Sequence, residues 1–457
     1  MARLAGVEEK DGGAAQGKGE ADKIEAVVAR LAASAQKTRR LPAHARAKAL
    51  EAVSEGIRSE REAFARLICE EVGKPLQEAR REVDRAAFTF RWAAGEALRF
   101  TGEIVPLDLD AGGEGRLAMI RRVPKGPCLF ITPFNFPLNL AAHKVAPAMA
   151  VGAPFLLKPA PQAPKTAEKF AAALKSSGWP EEAFAVLPCS NEAAERLARD
   201  DRFAVLSFTG SAGVGWKLKA LSPRKHVVLE LGGNAGAVVA SDAELPWAAA
   251  RCAWGAFYYM GQVCISVQRI FVEEPVYDRF KDYFLKNVRE LKAGDPKDET
   301  VDIGPLIDAK AADRVEAWIK EAVSKGGRLL AGGKREGNLI TPAVVEDPPQ
   351  GCALCCEEAF GPVATLEKVP SVDEAFRRIG LGRYGLQAGV FTKDLDSILA
   401  AWDDLEVGGI IINDIPSYRS EAMPYGGVKE SGVGREGIRA AMEEFTEPRT
   451  LVLRRSM

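Results

Sequence analysis

The sequence predicts an α/β protein built from two sheets with helices on their faces and a β-arm attached to them. Short apolar runs at 127–132, 153–157, 184–188, 204–208 and 227–231 alternate with helical segments, which is the signature of a parallel sheet. A second alternation runs from about 234 to 430, with strands at 236–240, 268–272, 386–392 and 409–413. At 457 residues, the chain is longer than one typical domain and can bury a large core.

The elements follow in order. Residues 1–21 are rich in Gly, Ala, Lys and Glu without apolar periodicity, so they are expected to be a disordered leader. From 22 to 100 apolar residues recur at helical spacing, as in Ile24, Val27, Val28 and Leu31. Gly73-Lys74-Pro75 breaks two such helices. Residues 101–124 alternate around the turn Asp110-Ala111-Gly112-Gly113, predicting a hairpin arm, and 449–454 predict a terminal strand.

Bulk properties exclude several classes. Hydrophobic residues make up 47% and charged residues 27%, and the net charge is −1, so nothing points to nucleic acid or an anionic membrane. The most apolar stretch, 138–157, is interrupted by His143 and Lys144. No apolar signal core opens the chain, and the expected compartment is the cytoplasm. Eight cysteines do not make a disulfide framework. Cys352, Cys355 and Cys356 lack the partners of a zinc site in a chain with three histidines, so no metal is expected.

Two residues carry the chemistry. Cys264 follows the Gly261-Gln262 pair in Gly-Gln-Val-Cys, a thiol beside a permissive backbone. Glu230 lies in Val-Val-Leu-Glu-Leu-Gly-Gly (227–233), where apolar neighbours raise a carboxyl pKa towards neutrality. Alone, each has a bland reading, a buried cysteine and a strand-end glutamate. Around them stand Thr-Pro-Phe-Asn-Phe-Pro (132–137), Leu-Lys-Pro-Ala (157–160) and Phe-Thr-Gly-Ser-Ala-Gly-Val-Gly (208–215). Glu-Glu-Ala-Phe-Gly-Pro-Val (357–363) and Pro-Tyr-Gly-Gly-Val-Lys-Glu-Ser-Gly-Val-Gly-Arg-Glu-Gly (424–437) complete the series. In this order the segments resemble the aldehyde dehydrogenase superfamily, from about residue 70 to the C-terminus.

The resemblance implies a Rossmann-like cofactor domain (22–105 and 125–232), an α/β catalytic domain (233–430) and an oligomerisation arm (106–124 and 445–457). It implies Cys264 as nucleophile, Asn135 as oxyanion contact, Glu230 as the base that activates water, and Lys144 and Glu436 as a proton relay. For the cofactor, NAD or NADP, it implies Lys158 at the adenosine ribose, and Gly210, Ser211 and Gly215 at the pyrophosphate. Glu358 would hold the nicotinamide ribose, with Phe360, Thr132 and Phe134 nearby. The product would be a free acid, because branches that pass the acyl group to coenzyme A tend to lack the equivalent of Glu230. A coenzyme A-acylating enzyme and a catalytically silent binding protein of the same fold are the alternatives. The expected partners are a small aldehyde and a second copy of the chain, in a homodimer or homotetramer.

Two departures bear on specificity. The strand-rich segment that usually precedes the first helix of the family is not evident. Three residues after Lys158, where strictly NAD-preferring relatives carry Glu, this chain has Pro161. By motif spacing, His143, Arg419 and Tyr425 fall at substrate-tunnel positions. His and Arg there, in place of aromatic residues, predict a polar, cationic tunnel for a short polar or anionic aldehyde, as in branches acting on lactaldehyde, phosphonoacetaldehyde or succinic semialdehyde. The alternative for Arg419 is an ion pair with Glu421 or Asp414.

Overall fold

Residues 12–455 are described by the computed structural model. Six strands form the first sheet in the order Gly432–Val433, His226–Glu230, Val205–Thr209, Cys128–Ile131, Phe155–Lys158, Phe184–Val186. All pair in parallel except Gly432–Val433. Cys128–Ile131 is buried at every residue, as a strand covered on both faces requires. The second sheet has seven strands, in the order Arg328–Ala331, Ala343–Glu346, Val363–Val369, Val267–Glu273, Ala235–Val239, Gln387–Phe391, Gly409–Ile412. Only Arg328–Ala331 runs antiparallel. Glu230 ends a strand of the first sheet and Ala235 begins one of the second, so residues 231–234 join the two.

The arm is a separate three-stranded antiparallel sheet of Glu103–Pro106, Arg116–Pro124 and Thr446–Arg454. It starts before residue 106, the expected boundary. Leu451, Val452 and Leu453 on its terminal strand are exposed.

The expected leader needs correction. Helix Gly12–Thr38 already includes residues 12–21, while residues 1–11 lie outside the described residues. Ala, Gln, Lys and Glu extend a helix readily once one part of it is anchored. The anchor is the predicted apolar face: Val28 and Leu31 are buried in a cluster with Leu129, Leu156 and Leu206 of the first sheet. Arg30 donates to the carbonyl of Phe184 at 3.0 Å, and Glu20 accepts from the backbone N–H of Ser190 at 3.1 Å.

Three further helices, Ala43–Ser59, Arg61–Val72 and Leu76–Arg99, pack beside the first sheet, and Gly73 ends the second of them in the left-handed region at φ 66°. No helix among the described residues is long and apolar enough to cross a membrane. Phe130, central in the first sheet, lies between Phe155 and Phe445 with ring centroids at 6.0 and 5.4 Å. Phe445 thereby fastens the C-terminal segment to the sheet. Phe445→Ala is expected to cost about 3–5 kcal/mol, read as an earlier urea midpoint; an unchanged midpoint would show that this contact does not hold the segment.

Candidate active site

A cavity of about 400 Å³ opens where the two sheets meet, and its wall includes Asn135, Glu230, Cys264, Glu358, Arg419 and Tyr425. Phe134, Gly210, Ser211 and Phe360 also line it. Arg85 and Tyr425, separated by 340 positions in the chain, therefore share one space.

Cys264 follows an unusual turn. Tyr259, Met260 and Gly261 are all left-handed, at φ 47°, 55° and 66°. At Gly261 a Cβ would lie 2.2 Å from the carbonyl oxygen of Gly361, so only glycine fits. The turn presents the carbonyl of Gln262 to Asn135, whose Nδ2 donates to it at 2.9 Å. That bond fixes which end of the amide is nitrogen, and the second N–H remains uncommitted. Burial pushes the Cys264 thiol up to about 12, against the pull of the Tyr425 hydroxyl, 3.1 Å from Sγ.

Neither carboxyl oxygen of Glu230 has a hydrogen-bond partner. Burial raises its pKa well above the ordinary carboxylate range, and the charge of Glu436 adds to the rise. Behind it, Lys144 Nζ donates to Glu436 Oε1 at 2.8 Å and to Ser207 Oγ at 2.7 Å. Arg419 Nη2 donates to Glu436 Oε2 at 3.0 Å. Burial opposes the charge on Glu436, but Lys144 and Arg419 outweigh it and hold the carboxyl down at about 2. Arg419 also lies over the Tyr425 ring, 3.8 Å from its centroid, and its Nε is buried without a partner. Its ion pair is therefore with Glu436, and not with Glu421 or Asp414. Those acids pair elsewhere, Glu421 with Arg85 at 2.9 Å and Asp414 with Arg251 at 2.7 Å.

Not every expected residue reaches the cavity. His143 is fully buried in helix Asn139–Val151 and is absent from the lining. Burial and the Arg419 charge push its pKa down to about 4, leaving it neutral at neutral pH. All thirteen residues of that helix are buried, so counting along the chain does not reveal which of its side chains face the cavity. Leu140 and Asn139 do. Arg85, a lining residue on helix Leu76–Arg99, was not singled out by sequence, because one more arginine on a helical surface gives no signal.

The cavity wall also carries groups suited to a dinucleotide. Ser211 stands at the N-cap position of helix Ala212–Ala220 without a side-chain capping bond, with Gly215 in its first turns and Gly210 before it. Such a helix start after a strand favours a phosphate. The Thr209 hydroxyl is buried and unpaired in the same wall. At Gly232 a Cβ would lie 2.3 Å from Glu358 Oε2, so the glycine makes room for that carboxyl, which suits ribose hydroxyls. Burial pushes Glu358 up to about 7. Lys158 ends strand Phe155–Lys158 and its carbonyl accepts from the N–H of Thr132 at 3.2 Å; both residues are buried beyond the lining. No group of metal-ligating side chains occurs among the described residues.

Cys264, Asn135, Glu230 and Glu358 thus share one cavity between the two sheets. The profile of the Aldehyde dehydrogenase family matches residues 9–451, and the chain belongs to that family. It is an aldehyde dehydrogenase that uses NAD or NADP. The chain is 42% identical over 396 residues to the 3-sulfolactaldehyde dehydrogenase of Priestia aryabhattai, covering 86% of this chain and 83% of that protein. It superposes on aldehyde dehydrogenase 21 from Physcomitrella patens, solved with the reaction product succinate, with a TM-score of 0.93 at 43% identity, covering 95% and 90% of the two chains. Glyceraldehyde-3-phosphate dehydrogenase from Methanocaldococcus jannaschii, solved with NADP, matches with a TM-score of 0.90 at 35% identity, covering 95% and 94%.

The raised Glu230 pKa has a sign that stability measurements can read. Below the unfolded value of about 4.3 both states are protonated and the site costs nothing through ionisation. Above it the unfolded chain ionises first, so folding loses stability until the pH reaches the folded value. The Tm advantage of Glu230→Gln over wild type should therefore be larger at pH 7.5 than at pH 5. A pH-independent difference would mean that Glu230 is not held protonated.

Proposed function

We propose that the chain oxidises a short polar or anionic aldehyde to its carboxylic acid, with Cys264 as nucleophile and Glu230 as base. The observation that carries the reading is the convergence of the Cys264 thiol, the Asn135 amide and an unpartnered Glu230 carboxyl on one cavity. The Cys264 thiol passes its proton through water to the Glu230 carboxylate, which releases it to solvent; the thiolate Sγ attacks the aldehyde carbon, forming a thiohemiacetal, and the oxyanion accepts from the free N–H of Asn135. The bound NAD or NADP supplies the acceptor for the hydride. Glu230 then takes a proton from water, whose oxygen attacks the Cys264 thioester and releases the acid. Lys144, Glu436 and Arg419 lie beside Glu230 and set the field in which its proton is held.

The first sheet holds the cofactor, with Lys158 at the adenosine ribose, Gly210, Ser211 and Gly215 at the phosphates, and Glu358 at the nicotinamide ribose. Arg419, with its unpaired Nε, and Arg85 at the rim make the substrate end cationic. His143 has no substrate role in this reading. The reported relatives act on or bind small polar or anionic molecules, in keeping with this charge. The exposed apolar strand Thr446–Arg454 leaves an edge that a second copy of the chain would cover.

Cys264→Ala should abolish aldehyde-dependent reduction of the cofactor. Glu230→Gln should leave a stoichiometric burst of reduced cofactor followed by slow turnover, because only deacylation is impaired. Normal steady-state turnover in Glu230→Gln would remove it as the base. Pro161, exposed three residues after Lys158, carries no carboxylate to repel a 2′-phosphate. The kcat/KM for NADP should lie within about tenfold of that for NAD; a thousandfold deficit would refute this. Arg419→Ala should raise KM for succinic semialdehyde far more than for propanal, and equal effects would count against the anion site.

A further inference from the structure

Lys74 and Glu82 form an ion pair with both side chains wholly removed from solvent. Neither lines the cavity. Burying two charges costs several kcal/mol of desolvation per ion, so the contacts the pair makes need a purpose. Glu82 Oε1 accepts from the backbone N–H groups of Leu138 and Asn139 at 2.9 and 3.1 Å. It thus caps the start of helix Asn139–Val151, three and four residues beyond Asn135. The Lys74 ammonium sits 3.7 Å from the ring centroid of Phe136 and 4.3 Å from that of Tyr259. Those rings meet edge to face at 5.8 Å. Phe136 is the neighbour of Asn135. Tyr259 opens the left-handed turn that delivers the Gln262 carbonyl and then Cys264.

We propose that the Lys74–Glu82 pair is a positioning device that holds the Asn135 loop and the Cys264 loop in one register. The inference rests on the assignment of Asn135 and Cys264 as the reacting groups. One end of the pair grips the Asn135 segment through backbone N–H groups. The other end holds both loops at once, through a cation placed against two rings. Asn135 and Gln262 then meet at hydrogen-bond distance because their segments are fixed to the same two side chains. A misplacement of the order of 1 Å between a nucleophile and its oxyanion donor costs about a hundredfold in rate.

The test uses the full-length enzyme and three sets of variants. Lys74→Met/Glu82→Gln removes both charges at similar volume, avoiding an unpaired buried ion. It is expected to lower kcat about ten- to hundredfold while KM for NAD or NADP stays within about twofold, because the cofactor wall is untouched. Tyr259→Leu, which removes one ring from the ammonium, should lower kcat in the same way. Tyr259→Phe, which keeps the ring, should retain it. Asn135→Ala is the reference and should lower kcat at least as far. Wild-type kcat in the charge-free double variant overturns the proposal while leaving the Asn135 assignment intact if Asn135→Ala is slow. Wild-type kcat in Asn135→Ala overturns both. Should the double variant not fold, the Tyr259 pair decides alone: equal losses in Leu and Phe, or none in either, overturn the proposal.

Discussion

The site depends on the buried cluster of Lys144, Glu436 and Arg419. Each charge comes from a different part of the chain: a helix of the first sheet, the segment after the second sheet, and the C-terminal loop. A buried charge that loses its partner costs about 3–5 kcal/mol, so none of the three segments can settle before the others. Glu436 is further fixed by backbone bonds to Tyr425 in both directions, at 2.9 and 2.6 Å. Tyr425 in turn reaches the Cys264 sulfur. The cluster therefore transmits the placement of the C-terminal segment to both the thiol and the carboxyl.

That dependence explains what was legible in the sequence. Cys264, Glu230 and Asn135 stood out because the chemistry they suit admits few residue types, and each sits in a short fixed segment. Apolar strands such as Cys128–Ile131 and Ala235–Val239 stood out because burial on both faces leaves no polar residue in them. Ala343–Glu346 and Val363–Val369 were missed although both are central in the second sheet. Each carries a buried acid, Glu346 or Glu367, whose charge hides the run. The acids are tolerated because Tyr277 and Lys281 meet Glu346, and Arg378 meets Glu367. Such partners come from elsewhere in the chain and cannot be read locally.

His143 and Arg419 show the same limit within the site. Motif spacing gave both a tunnel position, but spacing counts residues and not directions. Arg419 lies in a loop whose path is fixed by Glu436 and the Tyr425 ring, so its side chain reaches the wall. His143 lies on a helix buried on every side, where rotation about the axis decides which residues see the cavity. His143 Nε2 stands 3.6 Å from Glu421 Oε1, and the residue is absent from the cavity wall.

Burial pushes the Cys264 thiol up to about 12 and raises Glu230 well above the ordinary carboxylate range, so it works against charge on both groups. The Arg419 charge works against burial at both groups, lowering Glu230 and Cys264 alike. Arg419 is balanced by Glu436 and Arg85 by Glu421 before any ligand arrives. In the function proposed above, an incoming anion would compete with those carboxylates for the one unpaired Nε of Arg419 and the partly exposed guanidinium of Arg85. At Cys264 burial outweighs the pull of the Tyr425 hydroxyl and of the Arg419 charge, and the thiol stays up at about 12.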